Sequence, residues 1–155
     1  MAGQQNKGIS GLDHQVRYSV FRYFMEYGSA PSAGDIAESL AVEPLEIEKS
    51  FQRLEAKHAM VLAPATSNIW MCHPFSAVPT PFRVRTAERD YWANCGLDTL
   101  GISAVLGVDT ESDVKCQDCG TMLTVTIKDG SLVETEGVVH FVVPPKLFWD
   151  NVGFT

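Results

Sequence analysis

The chain has 155 residues, of which 45% are hydrophobic and 20% are charged, so it can bury a sizeable core and is not disordered as a whole. Its 12 Lys and Arg against 19 Asp and Glu give a formal net charge of −7, which argues against binding nucleic-acid phosphates through a basic face. No apolar run approaches the ~18–20 residues of a membrane-spanning helix, and the polar residues 1–7 lack the apolar segment of a signal peptide. We therefore expect a cytoplasmic protein with no membrane partner.

Three helices are predicted in the first part of the chain. The first has apolar side chains at helical spacing, at Val16, Val20, Phe24 and Tyr27. A capping box, in which Ser32 and Asp35 bond each other's backbone amides, begins the second, and Pro44 stands at the start of the third. One face of the third helix is expected to carry Ile47, Phe51, Leu54 and His58.

Two short strands, Met60–Leu62 and Ile69–Met71, are predicted around a turn at 63–68. Helices followed by a hairpin in this order are typical of a winged-helix module, which we place at residues 1–72. Such modules often read DNA through the third helix, but residues 1–70 hold six basic and eight acidic side chains. We therefore favour a structural or dimerising role and disfavour nucleic acid as a partner.

The prolines at 74, 79 and 81 exclude a helix over 73–82 and predict an extended linker. The second module, 83–155, is predicted to contain an apolar helix ending near Leu106 and a tight turn at Cys116–Gly120. Strands are expected at 121–127 and 138–143, joined by a loop that opens with Asp129-Gly130. The predicted fold class is α+β, a winged-helix-like N-terminal module followed by a small mixed α/β catalytic module.

Cys95 and Asp98 form the first candidate site. On a helix, side chains three residues apart share a face, with ~5–6 Å between their Cβ atoms. A thiolate beside a carboxyl that holds or donates a proton suits a reaction that needs a thiophilic centre and a proton source. The alternative interpretation is that Asp98 only caps the helix.

Cys116 and Cys119 form the second candidate site, since Cys-x-x-Cys-Gly lets two thiolates bind one ion. A structural zinc site needs four ligands, and only Cys72, His73 and His140 could supplement the pair. A zinc site, a soft-metal or redox site, and two inert thiols therefore all stay open. We expect His73 to be packed or hydrogen-bonded and His140 to be a core residue in its strand.

Three stretches of the sequence resemble the alkylmercury (organomercurial) lyase family. They are Asn94–Leu100, which contains Cys95 and Asp98, together with His73–Val84 and Phe148–Thr155. The order of a winged-helix-like module before a catalytic module also matches, and the resemblance covers residues 15–155.

The resemblance implies cleavage of carbon–mercury bonds. In the family, two cysteines capture the organomercurial and an aspartate protonates the departing carbon; Cys95 matches the first cysteine and Asp98 the aspartate. No cofactor is implied, and mercury(II) is a ligand that comes from the substrate. The partners implied are a small organomercurial and an external thiol or mercuric reductase that accepts the mercury.

The second catalytic cysteine of the family has no match in this sequence. It follows a stretch like Phe148–Thr155, and Thr155 is the last residue here. We expect either that such a cysteine lies beyond Thr155 or that the chain is a shortened member. Cys116 lies near a structural cysteine of the family, whereas Cys119 is additional.

Two other functions stay open beside the lyase. One is a metal- or thiol-responsive winged-helix regulator that uses the cysteines for sensing. The other is a non-enzymatic soft-metal binding protein that uses Cys116 and Cys119. The acidic residues of the third predicted helix disfavour the regulator.

Overall fold

The computed structural model describes residues 10–116, 118–133 and 137–153. The fold is mixed α+β, and the chain divides into two compact units, Met1–Cys72 and His73–Thr155. In the described ranges, no helix is both long and apolar enough to cross a membrane.

The described part of the first unit, residues 10–72, consists of three helices and a hairpin, in the predicted order. Helices α1, α2 and α3 span Gly11–Tyr27, Ala33–Leu40 and Pro44–Glu55. Strands β1 (Val61–Leu62) and β2 (Ile69–Cys72) pair antiparallel around the predicted turn.

The predicted helix faces form the core of this unit, with two exceptions. On those faces, Val16, Val20, Phe24, Ile47, Phe51 and Leu54 have no exposed surface. Tyr27 is 55% exposed because α1 ends there, before Gly28 in the left-handed conformation. His58 is exposed because α3 ends at Glu55, so the face predicted to include it stops one turn earlier.

Both α1 and α2 begin with a capping box. Ser32 and Asp35 form the predicted one, and Ser10 with Asp13 forms a second that the sequence analysis did not single out. Each aspartate accepts a hydrogen bond from the backbone amide of its serine, so each helix end satisfies its own exposed donors.

Asp13 also joins α1 to α3. Arg53 donates to it from Nε at 3.1 Å and from Nη2 at 2.7 Å, and the buried Ser50 hydroxyl donates at 2.6 Å. Burial by itself would raise the pKa of Asp13, but the hydrogen bonds from Arg53, Ser50 and Ser10 outweigh it and hold the pKa well below its usual range. The carboxylate is therefore a stabilising charge in the folded unit.

The described residues of the second unit form an antiparallel sheet, an α-helix and a 3₁₀ helix. The elements are β3 Phe75–Ser76, β4 Arg83–Arg85, β5 Asp90–Trp92, α4 Gly96–Leu106, β6 Thr110–Lys115, β7 Met122–Lys128, β8 Ser131–Leu132 and the 3₁₀ helix over Pro145–Asp150. The strands of the sheet are ordered β5-β4-β6-β7-β8, and the short β3 forms a bridge from Phe75 to Ala93.

Helix α4 packs on the sheet against β4 and β6, and this contact forms the core of the second unit. The buried side chains there include Phe75, Val84, Tyr91, Ile102 and Ile127. Ala93, which follows β5, forms the bridge to Phe75, and α4 begins three residues later. The first turn of the helix therefore lies beside the segment 73–76.

The prediction of a strand at 138–143 is wrong, because these residues form no strand in the structure. The Asp129-Gly130 reversal occurs as expected, but β7 pairs with the short β8 and not with the later segment. Val138 is 92% exposed and His140 is exposed, so the prediction of a core histidine is wrong as well. β-branched residues favour a strand only where a neighbouring strand and a buried face receive them.

We expect Asp13→Asn to lower the free energy of unfolding by about 2–3 kcal/mol, because it removes charge-assisted hydrogen bonds from a buried carboxylate. Since folding lowers the pKa of Asp13, this stabilisation is complete above the unfolded value of ~3.9 and fades as the pH falls below it.

Denaturant unfolding at neutral and acidic pH measures this effect. Asp35→Asn is the matched control because Asp35 holds the same capping position without a buried partner, so its loss should be smaller. Equal losses in the two variants would contradict the role given to Arg53 and Ser50.

Candidate active site

Cys95 and Asp98 lie at the start of α4. Cys95 is the N-cap residue, with extended backbone, and Asp98 follows in the first turn. The Cys95 thiol donates to Oδ2 of Asp98 across 3.6 Å, and Cys95 forms no side-chain capping hydrogen bond. The spacing therefore produces the predicted pairing. Cys95 occupies the N-cap position that serine holds in a capping box, and its thiol contacts the carboxyl of Asp98.

His73 reaches the same carboxyl oxygen from the segment before β3. Its Nδ1 lies 3.4 Å from Oδ2 of Asp98. The Asp98 side chain is 16% exposed and that of His73 is 41% exposed, so the imidazole lies between a mostly buried carboxyl and solvent. The expectation of a hydrogen-bonded His73 is confirmed.

Asn94 fixes the orientation of this segment. Its amide nitrogen donates to the carbonyl oxygens of Pro74 and Phe75, at 3.1 and 3.2 Å, and lies 3.3 Å from Nδ1 of His73. Because the two carbonyls use both amide hydrogens, we assign a proton to Nδ1 of His73, which then donates to Asp98. The other amide atom, Oδ1 of Asn94, is buried without a partner among the described residues.

Two further residues hold His73 and its segment in place. The Trp149 ring meets the His73 ring edge to face, with 6.0 Å between centroids. A Cβ on Gly101 would lie 3.0 Å from Cβ of Pro74, so glycine at this position permits the close approach of α4 to the segment. The site thus combines residues from all three stretches that carry the family resemblance.

Burial and the neighbouring carboxylate raise the pKa of the Cys95 thiol. Burial is the larger cause, the negative charge of Asp98 adds to it, and the backbone amides of Leu97 and Asp98 partly oppose both. The resting thiol therefore holds its proton, and that proton points at Oδ2 of Asp98. The arrangement can bind a thiophilic atom at sulfur while it moves a proton to the carboxyl.

The other three cysteines have different surroundings. Cys72 is fully buried, and burial raises the pKa of its thiol to about 12. Cys116 and Cys119 lie in the predicted turn, between β6 and β7, and hydrogen bonds from Thr121 and Cys116 lower the pKa of Cys119 to about 7. Across the described ranges, no cluster of three or more His, Cys, Asp or Glu side chains could hold a metal ion.

Sequence reasoning missed how Asn94, Gly101 and Trp149 support the site. Asn94 and Trp149 lie within the stretches that resemble the family, so the resemblance could have drawn attention to them. A glycine three residues after Asp98 is a weaker signal, because only the packed structure shows which neighbour needs the space.

Alkylation by iodoacetamide at about pH 8 should modify Cys119 before Cys95, and Cys72 only after unfolding, since the thiolate is the nucleophile. Asp98→Asn should accelerate modification of Cys95, because it removes the charge that raises the thiol pKa. Peptide mass spectrometry measures each rate, with the exposed Glu88→Gln as control. An unchanged Cys95 rate in Asp98→Asn would contradict the described coupling.

Comparison with solved structures supports the fold. The crystal structure of the mercury-bound form of MerB2 matches with a TM-score of 0.68 and 20% sequence identity, over 82% of this chain and 61% of that chain. Comparison with curated proteins finds no match.

Comparison with family models identifies the second unit. The alkylmercury lyase (MerB) model matches residues 75–155, which include Cys95, Asp98, Asn94 and Trp149. This match covers more than half of the 155 residues of the chain, so the chain belongs to the alkylmercury lyase family.

Proposed function

We propose that the protein cleaves the carbon–mercury bond of small organomercurials by protonolysis, with Cys95 as the mercury-binding thiol and Asp98 as the proton carrier. One observation carries the proposal: the Cys95 thiol donates its hydrogen bond to Oδ2 of Asp98. The family membership supports it, and the related MerB2 structure is a mercury-bound form.

In the first step, sulfur replaces a leaving ligand on mercury. The Cys95 sulfur bonds to R–Hg–X, the thiol proton moves to Oδ2 of Asp98, and X⁻ leaves. The raised thiol pKa does not prevent this step, because soft mercury favours the thiolate and the carboxylate lies in position to accept the proton.

In the second step, the Asp98 proton passes to carbon. A second thiolate adds to mercury, from an external thiol or from a second protein cysteine of the kind that the family carries. It increases the electron density on the Hg–C bond, which breaks as carbon takes the proton and leaves as R–H. Asp98 returns to the carboxylate, and mercury(II) stays on two sulfurs until an external thiol or a mercuric reductase removes it.

The first test is benzene release from phenylmercury in excess thiol. Cys95→Ser should show no turnover above that of thiol alone, because the hydroxyl is a poor ligand for soft mercury. Asp98→Asn should lose roughly 10²–10⁴-fold, the usual contribution of a positioned proton donor.

Glu88→Gln is the control, since it removes an exposed carboxyl outside the site. Activity of Asp98→Asn equal to that of the unmodified protein would remove the aspartate from the mechanism. Full activity of Cys95→Ser would overturn the lyase proposal for this site.

His73 is proposed as a positioning residue for Asp98. It donates to the oxygen that also accepts the Cys95 proton, and Trp149 and the Asn94 network hold its segment in place. A fixed Oδ2 keeps the carboxyl beside the Cys95 sulfur that binds the substrate, and small displacements of reacting groups are costly in rate.

We expect His73→Ala to lower kcat by roughly 10–100-fold with little change in KM, because the carboxyl loses its fixed orientation. His73→Asn should retain most activity, since its amide nitrogen can occupy the position of Nδ1. Thermal unfolding of each variant separates this effect from loss of the fold. An Asn variant as slow as the Ala variant, with both folded, would contradict the positioning role.

We infer that the first unit is a winged-helix-like module with a structural or dimerising role, from its three helices and hairpin. The basic residues of α3 do not favour DNA binding. Lys49 pairs with Glu46 and Arg53 pairs with Asp13, so both are used within the unit. A gel shift at low salt with mixed-sequence duplex tests this: retardation would support the regulator in its place.

A further inference from the structure

The turn between β6 and β7 holds a second pair of thiols, outside the site at Cys95. The backbone amide of Cys116 donates to the Thr121 carbonyl at 2.8 Å, and that of Gly120 donates back to the Cys116 carbonyl at 3.0 Å. Gly120 adopts φ +74°, which closes the turn. Two backbone hydrogen bonds therefore hold Cys116 and Cys119 on one short, closed loop.

The side chains of this turn interact with each other. Cys119 is exposed, its sulfur lies 3.2 Å from Oγ1 of Thr121, and the Cys116 thiol is a second hydrogen-bond partner. The two sulfurs are thus neighbours at the surface, and no disulfide joins them.

The number of donors limits the ion that this pair could hold. A structural zinc site takes four protein ligands, and the described part of the chain assembles no group of three or more candidate ligands. Two thiolates without further donors suit soft cations that accept a low coordination number, of which Hg²⁺ is one.

We propose that Cys116 and Cys119 together bind a soft thiophilic cation, with Hg²⁺ as the ion of that class. Binding is an exchange of protons for metal: Hg²⁺ replaces both thiol protons, two S–Hg bonds form, and two protons leave to solvent. No electron is transferred, and no residue of the Cys95 site takes part. The proposal therefore stands or falls independently of carbon–mercury cleavage.

The first experiment uses phenylarsine oxide, which bonds two neighbouring thiols and releases water. Cys95→Ser is the parent variant, because it removes the other partly exposed thiol and leaves Cys72 buried. The parent should bind one equivalent and lose two titratable thiols. Cys119→Ser or Cys116→Ser in the same background should each weaken binding by more than about 100-fold, since even changes outside the ligand set alter metal affinity by ~10–100-fold.

The second experiment uses Hg²⁺ alone. The Cys95→Ser parent, loaded with HgCl₂ and passed through gel filtration in excess monothiol, should retain one mercury per chain. The two double variants should elute without it. Circular dichroism verifies that all three are folded. The proposal would be overturned if Cys95→Ser/Cys119→Ser retained mercury or the arsenical as well as the parent does. It would also be overturned if the folded parent captured neither.

Discussion

The candidate site of the second unit is organised around one atom, Oδ2 of Asp98. It accepts from the Cys95 thiol on its own helix and from His73 on a segment 25 residues earlier. Trp149, from near the end of the chain, packs on that histidine, and Asn94 ties the segment to the residue before the helix. Three stretches that are far apart in sequence, the same three that resemble the family, therefore meet around a single carboxyl.

Among the described residues, three helices begin with the same spacing of N-cap residue and aspartate, with different outcomes. Ser10 with Asp13, Ser32 with Asp35, and Cys95 with Asp98 each place an aspartate at the third helical position after the N-cap. With serine at the N-cap, the hydroxyl accepts from the backbone and the aspartate returns the bond. Sulfur is a weak acceptor, so at Cys95 the thiol donates to the aspartate and the carboxyl is available for a proton.

Much of the first unit could be predicted, because its helices carry local signals: apolar periodicity, a Ser32–Asp35 box and Pro44. The pairing of Cys95 with Asp98 also follows from local spacing. The convergence of His73 and Trp149 could not be predicted from spacing, since it depends on how non-adjacent segments pack. The strand expected at 138–143 failed for the same reason: β-branched composition is local, whereas a pairing partner is not.

The four thiols show how surroundings separate side chains that are chemically identical. Cys72 is enclosed in the first unit and holds its proton far above neutral pH, whereas Cys119 loses its proton near pH 7 because Thr121 and Cys116 stabilise the thiolate. Burial and the charge of Asp98 raise the pKa of Cys95, which is partly exposed and has a carboxylate at the end of its S–H bond. In the proposed protonolysis, a thiol that is partly exposed and protonated at rest is the useful one. A thiolate at rest would bind mercury but bring no proton, and a fully enclosed thiol would reach no substrate. A thiol that gives its proton to Asp98 as it binds mercury supplies, in one step, both the sulfur ligand and the acid that carbon requires.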